Sequence, residues 1–229
     1  MNKEKMKRIR KGLFIFIVIL TVGTMLRLFF VDDPKRRSTM VFQLAQYLAM
    51  LIILISPKII KKQLKVNVPT ELHFAVAIFA FLALVLGDAF NFYNRFPWWD
   101  SVLHFNSGII LSFVALWVIH LLMAERSKYI YLNKYFTAVF VVAFSLALGA
   151  AWEICEYTYD DIFKTNTQQY MKSTYGTLIS QEDVPLQGHE ALTDTIKDLA
   201  LDLGGSLLVA GYGIIRYDEI KKIENDFKG

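Results

Sequence analysis

Apolar residues run in six long blocks, at about 12–31, 40–56, 71–90, 101–123, 135–157 and 194–215, separated by polar or basic connections. At a rise of about 1.5 Å per residue, blocks of this length cross most or all of a ~30 Å hydrocarbon core. The pattern predicts an all-α, polytopic membrane bundle of about six transmembrane helices, with residues 1–229 forming a single membrane domain. The block at 40–56 is the shortest, and Gln43 and Gln46 make it semi-polar, which suits a tilted helix or one packed inside the bundle. The first block follows a basic start but lacks a small-residue cleavage site and runs into Asp32, Asp33 and Pro34, so it is expected to stay in the mature protein. Between the fifth and sixth blocks, residues 158–192 form the one long connection, rich in Thr, Gln, Tyr and Ser with Gly176, Pro185 and Gly188. By the charge pattern it is expected to be extracytoplasmic, and a connection of this size reads as a lid, a binding loop or a disordered segment. The C-terminal RYDEIKKIENDFKG either prolongs the last helix, lies on the membrane surface or forms a solvated tail.

Composition strengthens the membrane reading. The chain is 55% hydrophobic and 14% aromatic, more apolar surface than one soluble domain of 229 residues would bury. Seventeen of its 25 lysines and arginines fall in the N-terminal tail, the second-to-third and fourth-to-fifth loops, and the C-terminal tail. By the positive-inside rule both termini are expected to be cytoplasmic, in a multi-pass protein of a bacterial plasma membrane. The net charge of +4 and the isoelectric point near 9.0 do not indicate nucleic-acid binding, because the basic residues are dispersed and flank apolar blocks. Contact with anionic membrane lipids explains them better. The lone Cys155 has no Cys-x-x-Cys partner and reads as a small packing residue.

The candidate chemistry lies in the last three blocks. Asp100 begins the fourth, and His104 is one turn further on the same face, with Ser107 and Gly108 continuing it. Pro97, Trp98 and Trp99 precede them as an interfacial helix start. The fifth block ends in GAAWEICEYTYDD, where Glu153 and Glu156 share a face at i, i+3. The sixth opens on TDTIKDLALDLGG, where Asp194, Asp198 and Asp202 repeat every fourth residue. Asp202 should lie about 12 Å deeper than Asp194. Under the expected topology all three faces occupy the outer half of the bilayer, where ionisable groups are costly and need partners, water, a metal or a substrate. Arg27 and Lys197 are candidate counter-charges for the acids.

Asp, Glu and His together suit a divalent metal, Zn²⁺, Mn²⁺ or Mg²⁺, with His104, Glu153, Glu156, Asp198 and Asp202 as ligands. Dedicated ligand spacings such as HExxH are absent. Trp99, Trp152 and Tyr157 read either as belt anchors or as a platform for a lipid headgroup or sugar, and His189 reads either as a loop group that closes over the site or as a simply solvated histidine. His73 and His120, near the other ends of their blocks, read as interfacial and unrelated. Gly204, Gly205, Gly211 and Gly213 read as close-packing positions.

The segments WWDSVLHFNSG, GAAWEICEYTYD and DTIKDLALDLGG resemble the YjdF-like family of bacterial inner-membrane proteins and, less closely, VanZ-like proteins, over roughly residues 90–220. The resemblance implies a compact multi-pass protein with no established activity. It departs from the VanZ-like pattern at Glu156, where that pattern carries Gln, and a link to envelope lipids or lipid-linked glycans follows from it by analogy alone.

Three function classes compete. One is a metal-dependent hydrolase or transferase, or a binder, in which Asp100, His104, Glu153, Glu156, Asp198 and Asp202 act on an envelope lipid or lipid-linked substrate. Another is a proton- or cation-coupled transporter, which would extend polar residues toward the opposite side and show an inverted repeat; neither is evident. The last is a non-catalytic membrane protein, structural or partner-binding, whose ion network only fixes helix packing.

Overall fold

A computed structural model describes residues 1–124, 133–172, 179 and 181–226 of the protein. Among the described residues, six helical segments are long and apolar enough to cross a membrane. They match the six apolar blocks in order, and their ends extend beyond those blocks for local reasons. Helix α1 spans Lys3–Leu28, starting at Asn2, whose side chain accepts from the Glu4 N–H at 3.1 Å. Helix α2 spans Pro34–Leu64; the Asp33 carboxylate accepts from Arg36 N–H at 3.1 Å, Pro34 occupies the first turn, and Lys65 ends it in the left-handed region. Helix α3, Thr70–Ala80, passes directly into a π-helical segment at Phe81–Ala89, followed by a short α4 at Phe92–Arg95. Helix α5 is Trp99–Ala124, α6 is Lys134–Phe163 and α7 is Thr193–Asp226.

Chain contacts divide the molecule into two units, residues 1–100 and the described residues that follow. The core of the first unit comes from α1, α2, α3 and the π-helical segment: Ile17, Tyr47, Met50, Leu54, Ala77, Ala80 and Val85 are buried together. Pro57 lies inside α2, which explains why the apolar pattern alone ended this block near residue 56. A proline within a helix removes the N–H that would bond the carbonyl four residues earlier, here Ile53. That carbonyl accepts instead from Ser56 Oγ at 2.8 Å and faces His73 Nε2 at 2.9 Å. Arg10 Nη1 lies 2.8 Å from His73 Nδ1, and a guanidinium only donates. The imidazole is therefore neutral with its hydrogen on Nε2, donating to Ile53. His73 is thus a buried repair of the proline break and a tie between α1, α2 and α3, contrary to the interfacial role its position suggested.

In the second unit α6 packs along α7, and the strands β1 (Met171–Lys172) and β2 (Val184–Pro185) pair antiparallel in the connection between them. Helix α6 continues past the apolar block to Phe163, because no breaker intervenes before Lys164 turns into the left-handed region. Helix α7 likewise runs through the charged C-terminal segment to Asp226, so the tail prolongs the last helix. Helix α5 meets its neighbours through glycine. The Gly108 carbonyl accepts from Ser112 Oγ at 2.7 Å on its own helix and from Ser145 Oγ on α6 at 3.1 Å. A Cβ at Gly108 would overlap the Asp202 backbone, and one at Gly205 would overlap the Phe105 carbonyl. Gly211 and Gly213, expected to pack closely, face open space, and Cys155 is exposed rather than packed.

Two substitutions separate these glycines. Gly205→Ala forces two backbones apart and should destabilise the protein by about 1–3 kcal/mol, whereas Gly211→Ala should be neutral or slightly stabilising, since alanine favours helix. Thermal unfolding in detergent checks the pair; equal midpoints for the two variants would contradict the close α5–α7 approach.

Candidate acidic and histidine pocket

The close glycine contacts set the pocket. Helix α7 presents Asp198 and Asp202 one turn apart, each only 1% exposed. Facing them on α5 is His104, 7% exposed. Its Nδ1 lies 3.4 Å from Asp202 Oδ2 and its Nε2 lies 3.8 Å from Asp198 Oδ2, so the ring bridges two carboxylates with its two nitrogens. Ser107, one turn along α5, places its hydroxyl against Asp202 Oδ1 and 2.7 Å from the His104 carbonyl. The third wall is α6, whose buried face is Val141, Ser145, Gly149, Glu153 and Asp160. Gly149 admits the Asp202 carboxylate so closely that a Cβ would overlap it. Glu153, one turn further on that face, is 5% exposed.

The structure therefore brings together His104, Asp198, Asp202 and Ser107, with Glu153 on the adjoining buried face. Asp100 sits at the second position of α5, one turn before His104 and half-buried. Glu156 is half-buried, and its Oε1 accepts from Trp152 Nε1 at 2.8 Å. Trp152 and Tyr157 are exposed on α6. Trp99 belongs to the first unit, where its indole donates to the Leu82 carbonyl at 3.3 Å. His189 is exposed, immediately before the single turn of 3₁₀-helix, Glu190–Leu192, that leads into α7. Asp194 is half-buried on the first turn of α7, while Arg27 and Lys197, the expected counter-charges, are both exposed.

One part of this region is harder to read from spacing. Asp160 is 3% exposed and accepts four hydrogen bonds: from Thr165 Oγ1 at 2.6 Å, Thr167 N–H at 2.7 Å, Thr167 Oγ1 at 2.7 Å and Gln168 N–H at 2.9 Å. Asn166 adds a reciprocal pair with the Met171 backbone, both at 2.9 Å. These bonds fold residues 164–171 into a strap. Its Gln168 amide reaches the Glu153 carbonyl on α6 at 3.4 Å and Thr195 Oγ1 on α7 at 3.2 Å. The strap thus fastens the two helices beside Glu153. The one signal was the spacing of Glu153, Glu156 and Asp160 at i, i+3, i+7, which puts Asp160 on the stripe of the acidic pair. Burial, and secondarily the charges of Asp160 and Asp161, pushes the nearby Tyr170 phenol above its ordinary pKa.

Chemically, the pocket sets two buried carboxylates about one imidazole, with Glu153 buried on the adjoining face of α6. Even with His104 protonated, such a set carries net negative charge if the acids are ionised, and it demands protons or a cation. One nitrogen and several oxygen donors suit Zn²⁺ or Mn²⁺, and Mg²⁺ if water completes the shell.

The fold and this pocket define a polytopic helical membrane protein with a buried acidic and histidine group. The chain belongs to a family described as predicted membrane protein (DUF2238), whose profile matches residues 11–219. It is also similar to an uncharacterized protein of Thermotoga maritima, at 31% identity over 127 residues, which are 54% of this chain and 62% of the relative. The chain thus spans less than two thirds of the length of that relative. No solved structure matches it.

Removing the anchor of the strap tests its role. Asp160→Ala strands four donors and should cost about 1.5–3 kcal/mol, the range for hydrogen bonds to a charged acceptor, while opening residues 164–171 to protease. Limited proteolysis beside thermal unfolding checks this; a cleavage pattern and midpoint identical to wild type would contradict it.

Proposed function

We propose that the pocket of the second unit is a divalent-cation centre that serves hydrolysis or group transfer on an envelope lipid or lipid-linked substrate. The observation that carries this reading is the placement of His104 between Asp198 and Asp202, all three buried in protein. A dication neutralises two carboxylates at once, which the exposed Lys197 does not do. His104, Asp198 and Asp202 would hold the ion, with Glu153 of the adjoining buried face as a further ligand. When bound, the cation supplies a Lewis acid that stabilises developing negative charge. Ser107 orients the Asp202 carboxylate, and an acid not engaged by the ion serves as general base toward water.

Two features support a lipid as partner. The excess of Lys and Arg in the terminal tails supports cytoplasmic termini, and under that topology the pocket would open in the outer half of a bacterial inner membrane. The resemblance to YjdF-like and VanZ-like proteins points, by analogy, to envelope components. A one-sided pocket also fits better than a transport path. The buried face of α6 passes from Glu153 through Gly149 and Ser145 to Val141, losing its charge along the way.

The test is elemental analysis of protein purified in detergent, beside Asp198→Asn and Glu153→Gln. Near-stoichiometric divalent metal is expected in wild type, with a drop of at least about tenfold in affinity in each folded variant, as for lost ligands or their supports. Wild-type protein without metal after supplementation with zinc, manganese and magnesium would contradict the reading.

A further inference from the structure

We propose that Asp202 is a positioning residue that fixes the hydrogen of the neutral His104 ring on Nδ1 and leaves Nε2, beside Asp198, as the nitrogen that meets the ion. The role given to Nε2 rests on the divalent-cation reading above, and the two aspartates of that centre divide its work. Asp198 contacts the ion directly, whereas Asp202 holds it at one remove, through the ring.

A neutral imidazole carries one N–H and one lone pair on nitrogens that point away from each other, so a single ion bonds to only one of them. The other nitrogen then donates to an acceptor that sets the tautomer and the ring plane. His104 has a carboxylate at each nitrogen, and two arrangements compete: hydrogen toward Asp202 with the ion beside Asp198, or the reverse. The surroundings of Asp202 select the first. Its Oδ1 meets the Ser107 hydroxyl, and its Oδ2 lies 3.4 Å from His104 Nδ1. The same Oδ2 is packed so closely on Gly149 of α6 that a Cβ there would overlap it, while the Asp202 backbone abuts Gly108 of α5. A carboxylate engaged at both oxygens and enclosed by two helices leaves no open side for an ion and its other ligands.

Asp198 stands differently toward the ring. Its Oδ2 is 3.8 Å from Nε2, beyond the reach of a hydrogen bond, and two metal–ligand bonds of about 2 Å each span such a gap. Among the described residues, the ligand atoms that gather within 4.8 Å of one another include those of His104 and Asp198 and leave out Asp202. The spacing in the sequence produces this division. Asp198 and Asp202 lie one turn apart on α7 and so reach the two nitrogens of one ring, and Ser107 follows His104 by one turn on α5, where it supports the acid that supports the ring.

The experiment is nitrogen-15 NMR of the full chain in detergent, labelled at its four histidines, with the His104 signals assigned by their loss in His104→Gln. Metal-free protein is measured at the highest pH at which it stays folded, and couplings to the ring protons report which nitrogen carries the hydrogen. The hydrogen is expected on Nδ1 in wild type and in Asp198→Asn, and on Nε2 in Asp202→Ala. Zinc affinity, measured by chelator competition, should fall by about 10–100-fold in Asp202→Ala, as for a lost outer-shell partner, and further in Asp198→Asn. A hydrogen on Nε2 in wild type would overturn the proposal, and this result needs no variant to fold. An unchanged Nδ1–H in folded Asp202→Ala, or a zinc affinity that Asp202→Ala lowers more than Asp198→Asn does, would overturn it as well. Wild type that carries the hydrogen on Nδ1 yet binds no zinc would overturn the ion's place at Nε2 together with the divalent-cation reading, while bearing out Asp202 as the group that sets the ring.

Discussion

Placing carboxylates beyond the reach of water is the constraint on which the second unit depends. An isolated buried carboxylate costs several kcal/mol, and Asp198, Asp202 and Glu153 share one region. His104 is the group that makes the arrangement tenable, since its two nitrogens meet the two aspartates of α7. Ser107 contributes a hydroxyl to the same Asp202. Attraction inside the pocket is strong because the local dielectric is low, and for the same reason an incomplete set of partners is expensive.

Such contacts form only if the helices approach closely, and the helix surfaces are shaped accordingly. Gly108, Gly149 and Gly205 lie where a methyl group would strike Asp202 or the α5 backbone. Ser112 and Ser145 meet at the Gly108 carbonyl, so the polar groups next to the pocket are satisfied within the protein. The strap anchored on Asp160 then ties the ends of α6 and α7 through Gln168. Glycine contacts, serine bonds and strap are three local devices that together hold one charged geometry. The first unit solves a related problem by other means, with His73 replacing the hydrogen bond that Pro57 takes from Ile53.

The six helices were legible because a membrane span writes a long, simple apolar pattern. Asp198, Asp202, His104 and Glu153 were legible because charge inside such a pattern stands out, and helical spacing put each set on one face. Other features depend on contacts between distant segments. Pro57 looked like a helix end because the compensating donor, His73, lies sixteen residues away on another helix. Gly211 and Gly213 are indistinguishable from Gly205 by residue type, yet only Gly205 faces α5. Asp160 resembles a solvated acid at a helix end until the chain turns back and offers it four donors. Glu156 shares a motif with Glu153, but the neighbouring Trp152 engages it.

A double-mutant cycle determines whether His104 and Asp202 are energetically one unit. Stability in detergent would be determined for wild type, His104→Gln, Asp202→Asn and the double variant. Groups in direct contact within a shared polar network couple by about 0.5–3 kcal/mol. A coupling in that range is expected, with the double variant more stable than the sum of the two single losses implies. Strictly additive losses would show that the histidine and the aspartate act independently and would contradict it.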